Sequence, residues 1–331
     1  YPNLEFSEGN NSSNLAEYQG YTTEWTWSNT LTYNTVINEK HRLNLLAGTE
    51  AIRSRNRQLN AGRNDFFVLG EMDYYYLGVG ASNINNNSTG AVGSLFSLFG
   101  RADYSYDDRY LASVTIRRDG SSSFGPENKY GYFPAGSVAW RLSEEDFIKE
   151  GASWINDLKI RAGYGVTGNQ RIPAFNYLAR FQSSILSSAY AFGGGNALTT
   201  GVWQNNYANP AIKWESAKSL NIGLDFALFD SVIDGSLDWY NKKTSDMLYP
   251  VALPATAVGM GGSPYVNVGD MSNKGVELSL GYHYGRKNDS PFKFDFVVNI
   301  SRNVNEIVAL APGVDQRPYG NFRSLTTSIL Q

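Results

Sequence analysis

Apolar side chains recur at every second position in long runs of this chain, which is the period of a β-strand with two unlike faces. Leu220, Ile222, Leu224, Phe226 and Leu228 alternate with Asn221, Gly223, Asp225 and Ala227. The same rhythm runs through Phe292 to Ser301, Val276 to Tyr284, Leu158 to Thr167 and Tyr110 to Arg117. The pattern predicts about ten strands, near 22–37, 41–53, 95–107, 109–120, 131–141, 156–168, 213–229, 232–247, 273–286 and 292–304. Most exceed the common strand length of about 5–6 residues. They suit the roughly 9–11 residues that a tilted strand needs to cross a bilayer core.

Between these strands, short and long connections alternate. The short ones are Asn38-Glu39-Lys40, Asp107-Asp108, Asp230-Ser231 and Arg286 to Pro291. The long ones are 54–94, 121–130, 169–212 and 248–272. An up-and-down membrane barrel, with tight turns at one rim and long loops at the other, has this signature. One further short connection reads as a helical turn, with Ser143 as N-cap ahead of the acids Glu144, Glu145 and Asp146. Aromatics gather near strand ends: Trp25, Trp27, Tyr104, Tyr106, Tyr132, Trp140, Trp239, Tyr240, Tyr282 and Tyr284. Barrel girdles have this composition, although aromatic residues also favour strands in general.

Composition narrows the choice. Charged residues make up 18%, aromatics 14%, and the net charge is −3. So much aromatic surface with so little charge excludes a disordered chain. A strongly basic nucleic-acid binder is disfavoured, since Lys and Arg do not outnumber Asp and Glu. With no Cys, there is neither a disulfide framework nor a Cys-ligated metal site. No apolar run is long enough for a transmembrane helix, a result that leaves β-barrels open. The first residues show no signal-peptide pattern, and the chain is expected to be an internal piece of a longer one.

The search for chemistry returns little. There are two histidines. His41 opens a strand, and His283 falls on a polar strand face with Ser279, Asp295 and Ser301 nearby in sequence. A triad on His283 would need those groups at one height on adjacent strands, and a hydrogen-bonded wall residue is the plainer reading. No catalytic residue, metal-ligand spacing or cofactor fingerprint is expected. Gly78-Val79-Gly80 and Gly259-Met260-Gly261-Gly262 do not open helices, and Asp119-Gly120-Ser121-Ser122-Ser123 reads as a turn rather than a calcium loop. Binding remains. The long loops carry Phe66, Phe67, Tyr74, Tyr75, Tyr76, Tyr190, Phe192, Trp203, Tyr207 and Tyr265 among Asn, Asp and Gln. Flat rings beside amides suit sugars or peptides; rings that merely pack the loops together are the bland alternative. The candidate ligand-binding set is Tyr74, Tyr75, Tyr76, Tyr190, Trp203, Tyr207 and Tyr265.

Five ordered motifs add a resemblance. They are Phe99 to Leu111 running on to Arg117–Gly125, then Tyr132 to Phe147, Leu158 to Gln170, Asn209 to Glu215, and Asn273 to Glu277. Together, over about residues 20–305, they resemble the barrel of SusC/RagA-type TonB-dependent transporters. The resemblance implies an all-β, antiparallel up-and-down transmembrane β-barrel of 22 strands, of which about ten lie here in one domain, residues 1–331. It implies a plug domain and final strands outside this stretch, since ten strands alone would leave open edges. It also implies a SusD-like surface lipoprotein as partner, contact with the TonB complex through the plug, outer-membrane lipid around the barrel, and a bacterial outer-membrane location. Oligosaccharide import is the first expectation for cargo, with oligopeptide import as the alternative. A passive porin, a hydrolase built on His283, and a soluble β-rich adhesin or glycan-binding domain are the competing readings.

Overall fold

The computed structural model describes residues 13–66, 76–183, 188–191, 198–251, 262, 264–285 and 291–310. In chain order the elements are β1 (Asn14–Ile37), β2 (His41–Asn64), β3 (Ser82–Tyr106), β4 (Tyr110–Ser121), β5 (Tyr130–Arg141), α1 (Asp146–Gly151) and β6 (Ile155–Asn169). The connection after β6 holds four short strands: β7 (Arg180–Ser183), β8 (Ala189–Ala191), β9 (Leu198–Thr200) and β10 (Val202–Asn206). Then come β11 (Glu215–Leu228), β12 (Ile233–Ser245), β13 (Leu248–Pro250), β14 (Tyr265–Asn267), β15 (Asp270–Tyr284) and β16 (Phe294–Ala309).

Ten of these form one sheet in the order β1-β2-β3-β4-β5-β6-β11-β12-β15-β16. Every long strand therefore lies beside its predecessor, the up-and-down order expected from the alternation of connections. Registers are continuous across β11–β12 and β12–β15. Tight turns close one end. Asn38 and Glu39, Asp107 and Asp108, and Phe229, Asp230 and Ser231 all have φ between 50° and 61°. Paired left-handed residues match the right-handed twist of the flanking strands, and Asn and Asp tolerate that region better than most side chains.

The chain divides into two compact units, one from residues 1–27 and 51–95 and the other from 28–50 and 96–331. In the first, residues 14–27 of β1, 51–64 of β2 and 82–95 of β3 carry mostly polar side chains, with Tyr18, Tyr21, Trp25 and Trp27 exposed among them. The β2–β3 connection is tied by Ser13 to the backbone of Phe66 and by the Arg63 guanidinium, which donates to the carbonyls of Gly78 and Gly80. The expected 54–94 loop is thus largely strand, with residues 65–81 as the connection. The reason is physical: backbone pairing needs no apolar stripe, and Asn/Ser/Gly-rich segments without one look like loops. The Asn- and Ser-rich stretch 82–94 accordingly lies on β3.

The second unit is inverted relative to a water-soluble sheet. Among the described residues of the whole chain, the buried apolar side chains are Phe66, Phe124 and Ile212, while ten buried residues are polar or charged. Val114 is 62% exposed, Ile116 57%, Leu237 44% and Ile300 59%. Covering a Val, Leu or Ile side chain is worth roughly 1.5–3 kcal/mol, so a face of this kind requires an apolar environment. The opposite face carries the charges, and there they pair.

The rim of tight turns bears an aromatic chain. His41 Nδ1 lies 2.7 Å from Tyr104 Oη, and its ring lies 4.9 Å from that of Tyr106. Tyr106 stacks with Tyr110 and Tyr110 with Trp140. Trp154 stacks on Phe229, and Tyr284 on Phe294. Of the ten aromatics expected near strand ends, Tyr104, Tyr106, Trp140, Tyr282 and Tyr284 join this chain. Trp239 pairs with Ile222 on the apolar face, so its neighbour Tyr240 points to the polar one. There Tyr240 lies over Gly275, where a Cβ would come 2.5 Å from the tyrosine hydroxyl.

The helical turn also differs from expectation. Ser143 donates to Asp157 at 3.1 Å rather than capping α1, and Glu145 occupies the N-cap position without a side-chain cap bond. Glu145 instead gathers Tyr110 Oη (2.7 Å), Trp140 Nε1 (3.0 Å) and Arg109 (3.3 Å). The hydrogen bonds from Tyr110 and Trp140 hold its carboxyl below the usual range, and the hydrogen bond from Lys149 does the same for Glu144.

Candidate functional site

Two features of the second unit present chemistry. The first is the polar face of the sheet. Residues 159, 161, 225, 234, 238, 283 and 295 fall on this face by register. Arg161 reaches Asp225 at 3.1 Å and Asp238 at 2.7 Å, and Lys159 also pairs with Asp225, at 2.8 Å. Gly223, paired in register with Arg161 on one side and Asp238 on the other, leaves the Arg161 guanidinium its space: a Cβ there would lie 2.5 Å from Cζ. Arg117 bonds Asp119 (2.7 Å), Glu50 (3.1 Å) and Ser97 (2.8 Å). Two hollows of about 610 Å³ each open on this unit. One is lined by Leu43, Tyr104 and Leu111 together with Asn44, Arg101 and Asp103, the other by Val138 and Ala162 together with Lys159, Arg161 and Asn221. Half-buried pairs of this kind order a wall, and their spare donors and acceptors suit polar contents.

His283 belongs to this wall. Nε2 lies 2.8 Å from Asp234 and Nδ1 2.5 Å from Asp295, which joins β12, β15 and β16. Both ring nitrogens thus face carboxylates, so the imidazole is not arranged to take a proton from Ser279 or Ser301. Among the described residues no group of three or more His, Asp or Glu has metal-holding geometry.

The second feature is the layer of long connections. Trp214 donates to the Lys129 carbonyl at 3.3 Å and packs its ring on Phe124 and Phe133. Asparagines tie the connections together. Asn128 donates to the Ala211 carbonyl (3.1 Å), Asn209 to that of Tyr265 (2.7 Å), and Asn267 to that of Lys213 (2.8 Å). Gly262 donates from its backbone to Asn205, and Glu215 accepts from the backbone of Leu248. Ile212 and Phe124, 0% and 2% exposed, are buried in these connections. The segment Asn209 to Glu215 is therefore a clamp joining the β4–β5, β6–β11 and β12–β15 connections.

Of the seven expected ligand-contacting aromatics, Trp203, Tyr207 and Tyr265 lie half-buried on segments belonging to this layer. Tyr190 is exposed on β8, opposite Thr199, with its ring beside Gly201. Tyr76 is exposed in the first unit. Tyr74 and Tyr75 lie outside the described residues, as do Phe67 and Phe192. Phe66 is buried and packs its own loop. Sequence reading missed the asparagine ties and the Arg161 network. The only sign of either was the Asn209–Glu215 motif and the charges on the polar strand faces.

Comparison with known proteins adds family evidence. The family model for TonB dependent receptor-like β-barrels matches residues 1–322. TonB-dependent receptor P3 of Formosa agariphila is 38% identical over 319 residues, 95% of this chain and 30% of that protein. TonB-dependent receptor SusC of Bacteroides thetaiotaomicron is 36% identical over 227 residues, 68% of this chain and 22% of that protein. Among solved structures, the RagAB peptide transporter superposes with a TM-score of 0.78 at 27% identity, covering 92% of this chain and 32% of that one. The chain spans less than a third of the curated relatives it matches.

Proposed function

Given that this chain belongs to the TonB-dependent receptor-like β-barrel family, whose members reside in the bacterial outer membrane, we propose that it is part of the barrel wall of a SusC/RagA-type importer driven by the TonB complex. The observation carrying this reading is the inverted sheet. Its apolar face is exposed, and its charged face is internally paired by Arg161, Arg117 and His283. In a barrel, the first face meets lipid tails and the second lines a polar lumen. A plug domain displaced through TonB opens the path, and a SusD-like surface lipoprotein covers the outer mouth. The role is binding and passage rather than bond cleavage.

The proposed cargo is an oligosaccharide. Trp203, Tyr207 and Tyr265 supply flat rings in a layer rich in asparagine amides, and sugars stack on such rings while their hydroxyls bond the amides. Peptide cargo is the second reading, supported by the likeness to a structure described as a peptide transporter. The test uses the full-length receptor with its partner lipoprotein. Calorimetry against oligosaccharide and oligopeptide libraries should give binding to a glycan, weakened about tenfold by Trp203→Ala combined with Tyr265→Ala. Peptide binding with no glycan binding would move the assignment to the second reading. Uptake that continues after TonB depletion would remove the transporter reading altogether.

A further inference from the structure

The apolar face of the second unit ends in cations. On β4 the positions sharing one side run Tyr110, Ala112, Val114, Ile116, Arg118. Val114 and Ile116 are exposed, and alternation puts Arg118 on their side of the sheet. Ladder registers carry that side across the unit. It holds Lys218 beside Leu220 on β11, Lys274 beside Val276 on β15 and Arg302 beside Ile300 on β16. Lys218, Lys274 and Arg302 are exposed, and every one of these residues belongs to the second unit.

On each of those four strands an aromatic ring stands eight residues from the cation, toward the tight turns and on the same side. The pairs are Tyr110 and Arg118, Phe226 and Lys218, Tyr282 and Lys274, and Phe294 and Arg302. That interval covers about 26 Å of strand, or about 20 Å of depth at a tilt near 40°, close to the apolar band of about 25 Å on membrane barrels. The level is shared as well as the interval. The ladder that leaves β4 at Tyr110 reaches β16, six strands on, at Ile300, six residues from Phe294. A stagger of about one residue per strand keeps a line level across tilted strands. The rings mark one interface, and the cations mark the other, beside the longer connections.

Local geometry fits these cations for an anion. Arg118 Cζ lies 3.9 Å from the ring centroid of Tyr130 and 5.7 Å from that of Tyr132, and Lys129 Nζ lies 5.9 Å from the first. Arg118 Nε is buried without a hydrogen-bond partner among the described residues, and the adjacent Asp119 is taken by Arg117. Lys274 stands opposite Val304, diagonal to both Arg302 and Glu306. Between β15 and β16 the diagonal that closes is the one on which Tyr282 meets Phe294, with ring centroids 5.9 Å apart. The same diagonal brings Lys274 to Arg302. Among the described residues neither of them, nor Arg118, has an ion-pair partner, whereas Arg101, Arg117 and Arg161 on the polar wall all do. We propose that Arg118 and the Lys274–Arg302 pair bind the phosphate groups of an anionic lipid in the outer leaflet. Guanidinium forks match phosphate oxygens in pairs, and their weak hydration suits an interface. The row fixes the height of the sheet in the bilayer. This inference rests on the lipid-facing reading of the apolar face and not on the identity of the cargo.

The experiment places the full-length receptor in phosphatidylcholine nanodiscs containing a small fraction of diphosphoryl lipid A, and counts bound lipid A by native mass spectrometry. Insertion is scored separately by size and receptor content, so a failure of the membrane reading is distinguishable from a failure of the site. Wild-type receptor should hold lipid A, and removal of its phosphates should weaken binding. R118Q should weaken it about fivefold, and K274Q/R302Q about twenty-fivefold. The charge-preserving variant R118K/K274R/R302K should retain most of the affinity, which separates charge loss from misfolding. Lys242 has the opposite parity and lies across from Asn273, next to Lys274. K242Q removes the same charge from the polar face and should leave binding unchanged. Equal binding by K274Q/R302Q and wild type, an equal loss in K242Q, indifference to the lipid's phosphates, or displacement by equimolar inorganic phosphate would overturn the proposal.

Discussion

At the scale of single residues, the wall is held by shared charges. Arg161 serves Asp225 and Asp238 at once, and removing it leaves Asp225 to Lys159 alone and takes from Asp238 its cation. Because these groups are only half-buried, Arg161→Ala should cost about 1–2 kcal/mol rather than the larger penalty of a deep pair. Urea unfolding of the full-length receptor in vesicles measures it, and a double-mutant cycle with Asp238→Ala should recover part of the loss. Glu144 and Glu145, at the turn rim, carry a pH prediction. Both carboxyls sit below their ordinary value of 4.5 in the folded chain. Their contribution is therefore complete above that value and fades only as pH falls through the depressed one. Protection factors of the amides across 142–151, corrected for the intrinsic pH dependence of exchange, should hold above pH 4.5 and fall as the pH drops below it, and Glu145→Gln should flatten that response. If protection falls equally in the Gln variant, the Glu145 bonds do not hold the turn. Sequence reading placed His283 on a polar face but not between Asp234 and Asp295. Those partners are 49 and 12 residues away and depend on strand register, which no local pattern encodes.

At the scale of elements, the strand ends at the tight turns were legible to within a few residues, because Asn and Asp at left-handed positions punctuate apolar stripes. Asp107→Val should cost about 1–2 kcal/mol by forcing a β-branched residue to positive φ, whereas Asp108→Gly should be tolerated. Folding assays into lipid vesicles would show the difference; equal yields would contradict the turn assignment. The far ends of β1, β2 and β3 were not legible. A strand without a continuous apolar face resembles a loop in sequence even while its backbone pairs. Gly275 marks the opposite situation, where a strand position must be bare. Gly275→Val should displace the Tyr240 ring and cost about 1–3 kcal/mol through overpacking, while Tyr240→Ala in the same chain should relieve much of that.

At the scale of the whole molecule, one decision governs the account: which side of the sheet meets lipid. The alternation that predicted strands could not distinguish an apolar face stacked in a dry core from one facing a membrane, since both read identically in sequence. The exposed Val114, Ile116 and Ile300 beside buried Asp119 and His283 make that distinction. The asparagine ties between distant connections were not legible, because they depend on how those connections meet; Trp203, Tyr207 and Tyr265 lie half-buried on segments of that layer. The most direct measurement is a spin-label scan along β15 of the full-length receptor in lipid vesicles, one residue at a time from Val276 to Leu280. Labels at Val276, Leu278 and Leu280 should collide with oxygen dissolved in the bilayer, and labels at Glu277 and Ser279 with a water-soluble nickel chelate. Labels at 276, 278 and 280 shielded from both reagents, as in a dry protein core, would contradict the lipid-facing assignment and the transporter account with it.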